Sequence, residues 1–307
     1  MSATINMYSY ASLIPVDSPE RLIVESPDLG TVFHLESRNK TDGADRSDIV
    51  EAVLAECHID ESSHRLVLHC DAPPGSGLGS SSAMIVALTA ALADNYGEVL
   101  GPYEIAQRAV VIERERMEIP GGLQDQFAAT FGGFNFMEFD GDGTLIHPLA
   151  LRPETLNELH ASLILCFTGQ TRLGGHILKN QIAGFTEKRA ASVEALGEIK
   201  ALAIEMRSAL LRGDLTRFAE GIAEGWEAKK RLADGITVDA LDRLYELGCA
   251  HGATAGKVLG AGGGGYFLFY CPVEKTAGLR EALESDGKRV VPFSFEKRGV
   301  QTWRVPN

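Results

Sequence analysis

Apolar and polar residues alternate through Leu66, Leu68 and Cys70, the period-two pattern of a strand with one buried face, and predict a strand over 64–71. Shorter β-rich runs predict strands at 21–25 and 31–36. Strong helix formers then fill 83–95, and a second helix is expected over 102–118, with Pro102 in its first turn and Pro120-Gly121-Gly122 ending it. The run 133–139 reads as another strand. The turn-rich stretch 140–153, with Asp140-Gly141-Asp142-Gly143, divides the chain into two α/β halves, 1–150 and 151–307. The second half opens on an apolar strand, 162–168, followed by helices near 174–183, 186–211, 215–232 and 238–251. An apolar strand at 266–271, a helix at 274–284 and a last strand at 289–295 complete the pattern, with no internal repeat.

Composition narrows the function classes. The 307 residues are 45% hydrophobic and 23% charged, which implies a sizeable core rather than disorder. The 42 acidic residues exceed the 29 Lys and Arg, giving a formal charge of -13 with no basic tract, so the footprint of a nucleic-acid or anionic-membrane binder is missing. No apolar run approaches the roughly 18 residues needed to cross a bilayer, and the opening stretch lacks the basic-then-apolar order of a secretory signal. A soluble cytoplasmic protein is expected. Cys57, Cys70, Cys166, Cys249 and Cys271 are scattered and odd in number, so they are expected as reduced thiols. The histidines show no metal-ligand spacing.

Glycine is the informative excess, 33 residues where about 7% is usual. In Pro74-Gly75-Ser76-Gly77-Leu78-Gly79-Ser80-Ser81-Ser82, alternating glycines allow close backbone approach and three serines open a helix. A glycine loop feeding a helix N-terminus suits the phosphates of a nucleotide. The competing reading is a tight strand-to-helix turn with Ser80 as N-cap. The spacing is GxGxG rather than the dinucleotide GxGxxG. Gly252-Ala253-Thr254-Ala255-Gly256-Lys257 imitates a phosphate-binding loop with one residue too few between its glycines, and Val258 stands where Ser or Thr is needed.

Three other clusters stand out. Residues 113–118 form a charge run, usually a solvated helix face, leading to Gly121-Gly122-Leu123-Gln124-Asp125-Gln126. The apolar residues after Asp125 suggest that its carboxylate is buried and therefore partnered or functional. The glycines of 260–265, among them Gly262 and Gly263, require close contact with a substrate, with the first glycine loop, or with another strand. Thr168-Gly169-Gln170-Thr171-Arg172 follows a strand with groups that hold a sugar phosphate, Thr171 and Arg172 foremost; Lys179 is a further candidate cation.

In this order, PxxxGLGSS (73–81), GGLQDQ (121–126) and GAGGGG (260–265) resemble the GHMP kinases over essentially the whole chain. The wording of 113–139 and of the segment ending at Arg172 is closest to the bacterial heptose 7-phosphate kinases of that family. The resemblance implies a two-domain α/β (α+β) fold. Its N-terminal ATP-binding domain contains a left-handed βαβ unit, an exception to the usual crossover rule, and its C-terminal domain is ferredoxin-like. It implies ATP and Mg2+ as cofactors, with Ser81, or Ser80 beside it, and Glu115 on the metal, Asp125 as catalytic carboxylate, and a sugar phosphate as partner. Gly262 and Gly263 join Thr171 and Arg172 on the substrate side. Another small-molecule kinase or a non-catalytic sensor on the same fold stays open, as does the oligomeric state. The family's first strand, with its basic residue and GGGTD-type segment, has no counterpart ahead of Ser2, which predicts an unpaired sheet edge and an incomplete sugar site.

Overall fold

The computed structural model describes residues 1–16, 22–35, 46–57, 64–141, 143–170 and 175–306. The first half begins with two strands at sheet edges, β1 (Ser2–Ala3) and β2 (Ser9–Pro15). The hairpin β3 (Ile23–Ser26) and β4 (Thr31–His34) leads through helix α1 (Arg46–Glu56) to β5 (His64–Cys70), and these strands pair in the order β2-β5-β3-β4. The β3–β5 pair is parallel, with α1 in the crossover. The alternation at β5 does what its period requires: Leu66 and Leu68 are fully buried with Val24, Val50, Ile85 and Leu88. Helices α2 (Ser80–Asn95), α3 (Pro102–Val111) and α4 (Gln124–Phe131) follow, then β6 (Phe134–Asp140) and β7 (Gly143–Pro148), which form a second sheet in the order β1-β6-β7.

The second half runs through α5 (Pro153–Ser162), β8 (Leu163–Phe167), α6 (Gly175–Thr186), α7 (Ala190–Arg212), α8 (Leu215–Lys230) and α9 (Asp239–Ala250). Strands β9 (Ala255–Val258) and β10 (Tyr266–Tyr270), helix α10 (Thr276–Ser285) and β11 (Arg289–Val291) complete an antiparallel sheet in the order β11-β8-β10-β9. Its core holds Trp226, Phe267 and Phe269, each side chain contributing about 1.5–3 kcal/mol relative to exposure. In the stretch imitating a phosphate-binding loop, Gly256 is a strand residue: a Cβ there would lie 2.7 Å from the Phe267 ring, so aromatic packing explains that glycine. No helix among the described residues is long and apolar enough to cross a membrane.

Several elements differ from the sequence expectations. Strand β2 has no fully buried face and therefore carries little hydrophobic contrast. Helix α5 and strand β7 occupy or adjoin the turn-rich stretch expected to be a plain boundary. The strand expected over 289–295 ends at Val291. Beyond it the tail returns to the first half, where Asn6 N–H donates to Ser294 O at 2.9 Å, Gly133 N–H to Glu296 O at 3.0 Å, and Glu296 N–H to Thr4 O at 2.9 Å. A cut at residue 150 thus separates in sequence a tail that packs on residues 4–6 and 130–133.

Candidate active site

β5 ends at Cys70, and the glycine loop carries the chain into α2. Gly75, Gly77 and Gly79 all adopt positive φ (70°, 80° and 72°), the conformation that makes the alternating glycines necessary. Gly79, not Ser80, is the N-cap of α2, and no side chain caps the helix. The first N–H groups and the positive end of a 16-residue helix therefore have no side-chain cap, and the Ser80 cap of the competing reading is not formed.

The second glycine run packs against this loop. A Cβ at Gly260 would lie 2.6 Å from Gly77 Cα, one at Gly265 2.3 Å from Ser76 O, and Tyr266 N–H donates to Ser76 O at 3.0 Å. Of the three partners the sequence allowed, the first loop is the one found for Gly260 and Gly265. Gly262 and Gly263, expected on the substrate side, are instead buried against Ile236: Gly263 N–H donates to Ile236 O at 2.9 Å, and a Cβ at Gly262 would lie 2.7 Å from the same oxygen. The junction gives a stability prediction. A Cβ at Gly77 would stand 2.6 Å from Leu259 O, whereas Gly30, also at positive φ, has nothing within 4 Å. Gly30→Ala should cost about 1–2 kcal/mol from backbone strain alone. Gly77→Ala should cost more and lower activity, as read by chemical denaturation of the two variants side by side.

A cleft of about 1830 Å³ runs along this junction, roughly twice a single small-molecule pocket and roomy enough for two ligands. Gly77, Leu78, Gly79, Ser80 and Ser82 line it. Pro74 is exposed outside it, and Gly75 is not part of its wall. Ser76 is buried under the second loop, and the Ser81 hydroxyl is buried with no hydrogen-bond partner. Asp125, in the first turn of α4, opens into the cleft rather than into the apolar core its neighbours suggested. Its carboxyl carbon would lie 3.2 Å from a Cβ at Gly79, directly over the loop. Loss of surrounding water, and then the Glu113 carboxylate, push its pKa above the ordinary aspartate value, opposed by Arg114.

The charge run 113–118 is only partly a solvated face. α3 loosens into a π-helical turn, Ile112–Arg116, and within it Glu113 is buried while Glu115 is exposed. Ser82 Oγ donates to Glu113 at 2.6 Å, and the fully buried Gln126 donates its amide to the same carboxylate oxygen. Arg114 grips the turn before Asp125, donating to Ile119 O at 3.1 Å and twice to Gly122 O, at 3.1 and 2.7 Å. Glu115, expected as the metal carboxylate, is exposed, whereas the buried Glu113 is the carboxylate that meets the α2 hydroxyl of Ser82 and acts on Asp125. A signal for it was present: Glu113 stands seven, four and three residues after the buried Ala106, Ala109 and Val110, on one helix face. Buried carboxylate oxygens and the orphaned Ser81 hydroxyl are hard donors that fit magnesium. Thr171 and Arg172 lie outside the described residues, and Lys179 is exposed on α6.

Comparison with known proteins agrees with this geometry. The GHMP kinases N terminal domain matches residues 47–133 and the GHMP kinases C terminal domain matches 206–288. The chain is 36% identical to the D-glycero-alpha-D-manno-heptose 7-phosphate kinase of Campylobacter jejuni, over 99% of this chain and 91% of that one. Among solved structures it resembles a D-glycero-D-manno-heptose 1-phosphate kinase from Bacteroides thetaiotaomicron, with a TM-score of 0.79 and 30% identity over 99% of this chain and 90% of the other. It also resembles a putative sugar kinase from Campylobacter jejuni, with a TM-score of 0.79 and 36% identity over 99% and 89%. A glycine loop opening α2, a carboxylate placed over it, and likeness along nearly the whole length lead to one conclusion: this chain belongs to the GHMP kinase family.

Proposed function

We propose that the protein transfers the γ-phosphoryl group of ATP to the anomeric hydroxyl of D-glycero-D-manno-heptose 7-phosphate, giving the 1,7-bisphosphate and ADP. The observation that carries the chemistry is the Asp125 carboxylate poised over Gly79 of the glycine loop. The substrate identity is supported by the name of the Campylobacter jejuni relative. The reaction belongs in the cytoplasm, where it would supply nucleotide-activated heptose synthesis.

Phosphoryl transfer demands positioning and charge stabilisation more than covalent participation by the protein. The unpaired N–H groups at the start of α2 hold phosphate oxygens, and the positive φ of Gly77 and Gly79 keeps the loop free of side chains where those oxygens approach. Asp125 accepts the proton of the anomeric hydroxyl as its oxygen bonds to the γ-phosphorus and the bond to the ADP oxygen breaks. Arg114 fixes the 119–122 turn, and with it the start of α4. Glu113, Ser81 and Ser82 are the residues that would hold magnesium, which when bound neutralises charge on the phosphate oxygens.

An acceptor panel tests the substrate. With ATP and magnesium, heptose 7-phosphate should exceed free galactose, fucose and mevalonate in kcat/KM by at least about two orders of magnitude. Equal or better use of another acceptor would remove the heptose assignment.

A further inference from the structure

Lys257, the last residue of the stretch that imitates a phosphate-binding loop, does not lie in a loop. It sits on β9, opposite Leu268 of β10, with its side chain at the wall of the active-site cleft. Lys229, in the last turn of α8, lines the same cleft and donates a hydrogen bond to Gly260 O, in the glycine that backs directly onto Gly77. Contacts thus connect Asp125 to Gly79, and Gly77 to Gly260 and Lys229, and Lys257 lines the same cleft. They stand on α8 and β9, and the nucleotide-type loop and α2 line the same cleft.

Neither lysine has a carboxylate partner among the described residues. Two half-buried ammonium groups that repel each other in one cleft are costly to keep charged. Burial pulls the Lys229 pKa down to about 7, with repulsion from Lys257 as the second cause, and burial alone lowers that of Lys257. A dianion placed between them would remove both penalties, since each ammonium offers several donors and an opposite charge.

We propose that Lys229 and Lys257 form a subsite for the phosphate ester that the sugar substrate already carries, on the part of the cleft lined by α8 and β9. This rests on the sugar phosphate reading above. It gives a role to Lys257, which no motif assigned, and it provides the described part of the cleft with cations for a phosphorylated rather than a free sugar.

The test uses Lys257→Met and Lys229→Met, which keep side-chain length and remove the charge. In each variant the KM for heptose 7-phosphate should rise at least about tenfold, while the KM for ATP and any residual rate on unphosphorylated heptose stay within about twofold. With ADP saturating the nucleotide loop, inorganic phosphate should raise the melting temperature of the unsubstituted protein and not that of Lys257→Met. In phosphate-free buffer Lys257→Met should melt at the same or a higher temperature, because an uncompensated charge has been removed. A rise in the KM for ATP would assign the lysines to the nucleotide and overturn the subsite. Equal losses on phosphorylated and free sugar, or unchanged protection by phosphate, would reduce them to packing. If the unsubstituted protein ignores heptose 7-phosphate yet loses phosphate protection on substitution, the sugar assignment fails and the anion subsite stands.

Discussion

Asp125→Asn is expected to lower kcat by about 10²–10⁴-fold, the range for removing a positioned general base, while nucleotide affinity stays within about twofold. The side chain keeps its shape over Gly79, so the loop is undisturbed and only the proton acceptor is lost. Calorimetric titration with a non-hydrolysable ATP analogue beside a turnover assay separates the two effects. Retained turnover would take Asp125 out of the mechanism. The pH dependence has a definite sign. Dehydration and Glu113 raise the Asp125 pKa, favouring the protonated form, and the protonated form cannot accept a proton. Activity should therefore fall as pH drops through a value above the ordinary aspartate range, and that limb should vanish in Asp125→Asn.

Glu113→Gln should be the second most damaging substitution, and Glu115→Gln its control. Glu113 is buried and bonded to Ser82 and Gln126, whereas Glu115 points from the π turn toward solvent. Losing a charged hydrogen-bond acceptor is worth about 1.5–3 kcal/mol, and Glu113 is also the carboxylate proposed to hold magnesium. The magnesium concentration for half-maximal rate should thus rise by about tenfold or more in Glu113→Gln. In Glu115→Gln it should barely move. The reverse ranking would restore Glu115 as the metal carboxylate.

The contrast between these two glutamates shows where sequence reading reached and where it stopped. Patterns fixed by local geometry were legible: the alternation that became β5 and the glycines that adopt positive φ before α2. Pairings between distant segments were not. Nothing local says that Gly260 and Gly265 close on Gly77 and Ser76, or that Gly262 is spent on Ile236. A π turn rotates side chains in a way that a charge run does not announce, so Glu113 is buried against Ser82 while Glu115 is exposed. The tail that crosses back to Thr4 and Gly133 bonds through its backbone, which leaves little trace in side-chain pattern.

Phosphorus NMR of the product made from ATP and heptose 7-phosphate tests the central claim most directly. A second sugar phosphate resonance, split by the anomeric proton, is expected to grow in step with ADP and to be absent with Asp125→Asn. ADP formed without that resonance, or a phosphate carried on any other hydroxyl, would contradict that claim.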